Sequence, residues 1–305
     1  MTELQRYLAE EVAEDHADGI ITRREAVRRL GLLGVSGSAA IAMLGAAGQA
    51  AVAAPRAPAR SGSRARSRGR TGTVAEWAPH TTTPITFAGP RGTLMGAWAP
   101  AARKRRGAVL VIHENRGLTD HIRNVAGRFA ADGYSALALD LLSEEGGTAS
   151  FPDEAAVGAA LSAAPPERFD ADMKAALSEL RRRARGSGLA AVGFCFGGGM
   201  VWRLLAAGER RLQAAAPFYG PFPQGGSLRG TRAAVLGVYG GQDERVNATR
   251  EAARAALEAA DLTYRIQTFT EAGHAFFNEM GARFNAPAAE EAWHQTLAWF
   301  GRHVD

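Results

Sequence analysis

Leu189-Ala190-Ala191-Val192-Gly193-Phe194-Cys195-Phe196-Gly197-Gly198-Gly199 is the stretch on which the fold turns. Its first six residues are continuously apolar, as expected of a strand buried on both faces of a parallel sheet. The strand then runs into G-x-C-x-G, a sharp strand-to-helix turn that exposes a nucleophile above the sheet, here with sulfur in place of the usual serine oxygen. Side chains at Gly193 and Gly197 would crowd that turn, and the helix N-terminus beneath it favours a thiolate. A lone Cys in an apolar stretch is ordinarily a small buried hydrophobe. Its place just past a buried-type strand and between paired glycines reverses that reading for Cys195.

Outward from this segment the pattern repeats. Ala108 to His113, Ser135 to Asp140, Ala214 to Tyr219, Ala233 to Tyr239 and Tyr264 to Phe269 are further apolar or β-rich runs. Helical periods lie between them: Ile122, Val125, Ala126 and Phe129 follow i, i+3, i+4, i+7, and Phe169, Met173, Ala176, Leu177 and Leu180 repeat that spacing over three turns. Upstream, Ile85 to Ala88 and Leu94 to Trp98 flank Gly89-Pro90-Arg91-Gly92, a hairpin signal. Asn247 is placed to cap a helix after it, and Ala292 to Phe300 reads as a terminal helix. Two antiparallel strands followed by six βα repeats predict an eight-stranded, mostly parallel sheet with helices on both faces. Sites in such sheets lie at the carboxyl ends of strands.

Two further residues stand at such ends. Asp243 follows Ala233 to Tyr239 through Gly240, Gly241 and Gln242, and His274 follows Tyr264 to Phe269 through Thr270, Glu271, Ala272 and Gly273. Alone, the Asp is a turn former and the His a capping or solvated residue. In the order Cys195, Asp243, His274 they reproduce nucleophile, acid, base, the order of the α/β-hydrolase fold. Glu114 ends the run Ala108 to His113. Its bland role is pairing with Arg116 or a helix amide, whereas beside a thiol a buried carboxylate can hold or take the proton.

The segments HENRGL at 113 to 118, DGYSALALDL at 132 to 141, GFCFGGG at 193 to 199, GGQD at 240 to 243 and EAGHAF at 271 to 276 are spread over the domain in order. From about Pro84 to Phe300 the chain resembles the dienelactone hydrolase family. The resemblance implies attack on an ester or lactone through a Cys195, His274, Asp243 triad and a thioester, with Glu114 interacting with the thiol. It also implies an oxyanion hole from the backbone amides of Asn115 and Phe196. Family members acting on dienelactone hold the substrate carboxylate with arginines, one of them four residues after the catalytic His, where this chain has Asn278. Between Phe151 and Glu167, where another is expected, there is no Arg. The substrate therefore differs from dienelactone, and Arg116 or Arg283 is the positional substitute for substrate binding. No metal or organic cofactor is required.

Two other classes share parts of this pattern. Redox or glyoxalase-like proteins also carry a Cys on an elbow beside a Glu, but are typically shorter and often have His next to the Cys, where Phe196 stands here. An exported binding module with a relict pocket would make the triad residues dispensable.

The chain has 305 residues and one cysteine, which excludes an intramolecular disulfide and the paired spacings of a zinc site. The net charge of +5 is concentrated in one short segment. Residues 54–76 hold 6 Arg against one Glu, while 77–305 hold 25 basic and 23 acidic residues. This distribution offers no groove for nucleic acid. The run Arg181, Arg182, Arg183 and Arg185 ends a helical pattern, where cations complement the dipole.

Thr22-Arg23-Arg24-Glu25-Ala26-Val27-Arg28 resembles a twin-arginine export motif, with Ala26 and Val27 at the usual Phe and Leu positions. A weakly hydrophobic Gly/Ala-rich run from Leu30 to Ala54 follows, and Ala51-Val52-Ala53 forms an A-x-A site. Residues 1–53 are thus expected to be a signal segment handled by the twin-arginine translocase, cleaved after Ala53 or retained as an anchor. Residues 54–76 are expected to be a flexible linker, because Pro, Arg, Ser and Gly cannot bury enough surface to offset their ordering entropy. The expected destination is periplasmic or extracellular, and no oligomeric state follows.

Overall fold

The computed structural model describes residues 1–53 and 81–304. The described residues fall into two compact units, residues 1–53 with 158–163, and residues 81–157 with 164–304. The linker expected over 54–76 lies outside the described residues.

In the N-terminal unit, α1 (Glu3–Ala17), α2 (Arg23–Leu32) and α3 (Gly37–Ala53) pack on one another. Thr2 and Gln5 form a reciprocal capping box at the start of α1, satisfying two otherwise orphaned donors. Thr22 caps α2, and the arginine pair Arg23 and Arg24 opens that helix with both side chains exposed. No helix among the described residues is long and apolar enough to cross a membrane.

The second unit is built on one eight-stranded sheet. Its strands are β1 (Thr83–Gly89), β2 (Gly92–Ala99), β3 (Gly107–Ile112), β4 (Tyr134–Asp140), β5 (Leu189–Phe194), β6 (Leu212–Phe218), β7 (Ala234–Gly240) and β8 (Tyr264–Phe269). The spatial order is β1-β2-β4-β3-β5-β6-β7-β8. The hairpin β1–β2 and the β2–β4 pair are antiparallel, and the other five pairings are parallel. Every residue of β3, β4, β5 and β7 is buried, which is why these strands read as unbroken apolar runs rather than alternations.

Helices cover both faces. α4 (Asp120–Ala131) meets the terminal α10 (Ala286–His303) through Phe129 and Trp293, whose rings are 4.5 Å apart. α6 (Pro166–Arg183) meets α7 (Phe196–Ala206) through Phe169 and Phe196, 5.6 Å apart. The end of α6 carries the arginine run, and Arg182 and Arg183 both hydrogen-bond Glu179.

Three features depart from expectation. β6 and β7 are joined by residues 219–233 without a helix, because Pro221, Pro223, Gly225, Gly226 and Gly230 break any helical period there. Between β4 and α6 the chain adds two 3-10 turns and α5 (Glu154–Ala163), whose Ala-rich sequence carries little amphipathic signal. Asn247 closes the short α8 (Glu244–Asn247) rather than capping the next helix, α9 (Arg250–Ala259). Its amide instead donates to the carbonyls of Gly240 and Gly241 at 2.8 and 3.3 Å.

Arg91 in the β1–β2 turn reaches Glu144 at 2.6 Å and Asp172 of α6 at 3.1 Å, tying the hairpin to the helical layer. Burial, aided by Glu144 and Glu145 and only partly offset by Arg91 and Arg168, pushes the Asp172 carboxyl up to about 6.

Candidate active site

Cys195 stands between β5 and α7 with φ 56° and ψ −121°, a backbone region that side chains rarely adopt. The local sequence makes this turn possible. A Cβ on Gly193 would strike the Gly197 carbonyl, and one on Gly197 would strike the backbone of Ile112 and His113 on the neighbouring strand end. Each glycine lets two main chains approach more closely than a side chain allows. The strain at Cys195 is held by packing on both sides, with its N–H bonded to the Phe218 carbonyl at 3.1 Å.

His274 and Asp243 come to the same place from the carboxyl ends of β8 and β7. The Nδ1 of His274 lies 2.6 Å from Oδ2 of Asp243, and both residues are buried. The second oxygen of Asp243 accepts from the Val246 amide at 3.1 Å, so the carboxylate is fixed by a helix start as well as by the imidazole. The sulfur of Cys195 and a ring nitrogen of His274 lie within 4.8 Å of each other. With Nδ1 committed to Asp243, Nε2 is the nitrogen left for the thiol.

Electrostatics support a charged imidazole. Burial opposes the charge on His274, but the Asp243 carboxylate and then the Cys195 sulfur outweigh it and hold its pKa well above the ordinary imidazole value. Asp243 is likewise penalised by burial, yet His274 holds its pKa below the usual carboxylate value. The pair is thus poised to carry opposite charges.

Glu114 follows β3 and is buried. Its main chain is fixed by His113, whose Nδ1 lies 2.6 Å from the Glu114 carbonyl while its Nε2 accepts from the Leu141 amide at 3.1 Å. Burial lowers the pKa of His113, so this imidazole is neutral, with Nδ1–H donating and Nε2 accepting. The Glu114 carboxylate pairs with Asn278, whose Nδ2 donates to Oε2 at 2.6 Å, and not with Arg116. Arg116 instead approaches Glu154 at 3.5 Å. Arg283 is partly buried. Asn115 follows Glu114 in the same loop, and Phe196 opens α7, where its amide precedes the first intrahelical bond.

Sequence reasoning misses several residues here. Tyr219 reads as the end of an apolar run, but it lies past β6 with φ 34° and sets its ring 5.2 Å from that of His274. Burial, together with the charges of Glu114 and Cys195, raises its phenol well above its ordinary value, so it stays neutral. His121, Asn124 and Glu279 form a second cluster that no local pattern announces. Asn278 is visible only as the residue standing where an arginine is expected.

Residues 95–304 match the model of the Dienelactone hydrolase family. The chain is 33% identical over 211 residues to an Escherichia coli protein named "Putative carboxymethylenebutenolidase", covering 64% of this chain and 76% of that relative. A Salmonella typhimurium protein of the same name is 32% identical over 238 residues, covering 72% and 87%. Among solved structures, one titled as a "Putative Dienelactone Hydrolase" from Klebsiella pneumoniae superposes with a TM-score of 0.64 at 28% identity, covering 73% of this chain and 99% of that one.

Proposed function

The chain belongs to the dienelactone hydrolase family and is a carboxylic ester hydrolase acting on an ester or lactone, and on that premise we propose that Cys195 is its nucleophile. The thiol gives its proton to Nε2 of His274, and Asp243 stabilises the imidazolium that results. The thiolate attacks the substrate carbonyl and forms a C–S bond. Charge then gathers on the carbonyl oxygen, where the amides of Asn115 and Phe196 are the donors. Collapse of this adduct expels the alcohol, which takes the proton from His274, and leaves a thioester. Water activated by His274 releases the acid and returns the proton to sulfur.

The observation that carries this reading is the 2.6 Å contact between buried His274 and buried Asp243, with the His274 ring within reach of the Cys195 sulfur on its strained elbow. The acyl portion of the substrate is neutral, because Asn278 stands where a carboxylate-binding arginine would and its amide is engaged by Glu114. Cys195→Ala should abolish turnover of aryl esters by the purified protein. Unchanged turnover would overturn the mechanism.

Residues 1–53 serve in this reading as a twin-arginine export segment, supported by the exposed pair Arg23 and Arg24 at the start of α2. Replacing both by Lys should stop export of a fused reporter that the intact segment exports. Continued export would contradict the assignment.

A further inference from the structure

We infer that Asn278 and Glu279 are positioning residues of the reaction, through which α4 fixes the orientation of Glu114 beside the thiol. This inference rests on the reading of Cys195 as the nucleophile, with Glu114 following the strand end that abuts its elbow. The segment after His274 is held at successive points. Ala275 has φ 56°, and the Asn278 amide closes a turn onto the Ala275 carbonyl at 3.1 Å. The next residue, Glu279, sets Oε2 2.6 Å from Nδ1 of His121 and accepts from the Asn124 side chain on Oε1 at 3.2 Å. His121, Asn124 and Asn278 are all buried. Both carboxylate oxygens of Glu279 are thus anchored on α4.

That anchor determines what Asn278 can do. Its side-chain oxygen accepts from the Met280 amide at 3.0 Å, so its Nδ2 must be the atom that faces Glu114. It donates to Oε2 of Glu114, while the other oxygen, Oε1, is buried with no hydrogen-bond partner among the described residues. A buried carboxylate oxygen without a donor is costly to retain, which makes the one donor from Asn278 important for holding this charge. His274 and Tyr219 both feel the charge of the sulfur, and Tyr219 also feels that of Glu114. With the amide in place, the charge of Glu114 is partly neutralised. Without it, a barer carboxylate near the sulfur disfavours the thiolate.

The chain has one cysteine, so alkylation by iodoacetamide reports Cys195 alone. Rates measured against pH on the full-length protein test the inference. Asn278→Ala and Glu279→Ala should move the midpoint upward by about half a pH unit, slowing alkylation at pH 7 roughly threefold. Ester turnover should fall about tenfold through kcat with KM little changed. Glu279→Gln, which can still accept from His121, should restore the midpoint. In a Glu114→Gln background, Asn278→Ala should cause no further displacement. A midpoint left at its wild-type position despite a lowered Tm, or a full displacement in the Glu114→Gln background, overturns the inference. If Glu279→Ala does not fold, Asn278→Ala decides it, since the contacts of Glu279 with α4 are then intact. Failure of the catalytic reading would show differently, as ester turnover that survives Cys195→Ala.

Discussion

Replacing Asp243 by Asn changes one atom and should remove most of the activity. The new side chain keeps an oxygen for the Val246 amide, so the start of α8 is preserved. Its NH2 group then faces Nδ1 of His274 at what is a 2.6 Å contact in the wild type. The imidazole must turn an acceptor toward the introduced amide, which places the ring proton on Nε2 and leaves nothing to receive the thiol proton. The lost attraction can be sized. Opposite charges at this separation gain about 6 kcal/mol at an effective dielectric of 20, and spreading the charge over ring and carboxylate reduces this to about 4 kcal/mol. At about 1.4 kcal/mol per tenfold, kcat should drop roughly 10³-fold. Stopped-flow assays with an aryl ester would measure the acylation rate. The stability signature is independent. The lowered pKa of Asp243 stabilises the fold above the unfolded carboxyl value and is lost in acid. The raised pKa of His274 stabilises below the unfolded imidazole value and is lost as pH rises through its folded value. The Tm difference between wild type and Asp243→Asn should therefore be greatest between about pH 4 and 6.5 and shrink on both sides. Activity within threefold of wild type, or a Tm difference independent of pH, would refute the reasoning.

Gly197→Ala should prevent the elbow from closing, because its Cβ meets the backbone of Ile112 and His113; a loss of about 2 kcal/mol or more is expected in urea unfolding. Asp172 holds a proton in the folded state up to about 6 that the unfolded chain releases near 4, so its contribution falls as pH rises across that window. Measured as a difference in Tm, Asp172→Asn should gain on wild type between about pH 4 and 7. Neutral aryl esters should be turned over with higher kcat/KM than analogues bearing a carboxylate on the acyl side, by about tenfold or more; competition assays would read the ratio.

Much of the fold is legible because β3, β4, β5 and β7 are buried on both faces, so their sequences show burial directly. The site is legible where the backbone itself demands a residue: Gly193 and Gly197 around Cys195 announce a strained turn before any contact is known. Asp243 and His274 are found through chain order, each just past a strand. What escapes has no local signature. Asn278 meets Glu114 across 164 residues, and Glu279 meets His121 across 158, pairings that only the sheet order brings together. The missing helix between β6 and β7 escapes for the opposite reason: the alternating βα pattern extends in expectation over a segment whose prolines and glycines forbid it. Asn247 reads as a helix cap by residue type, yet its amide is used to tie down the loop before Asp243.

The central claim is that acyl transfer passes through the sulfur of Cys195. Rapid quenching of the full-length protein with an activated ester, followed by mass spectrometry of its peptides, tests it most directly. The account predicts one acyl group on the peptide containing Cys195, formed and lost at rates that match turnover and retained longer when His274 is replaced by Ala. Undiminished turnover with no acyl group on that peptide, or with the acyl group on another residue, would contradict it.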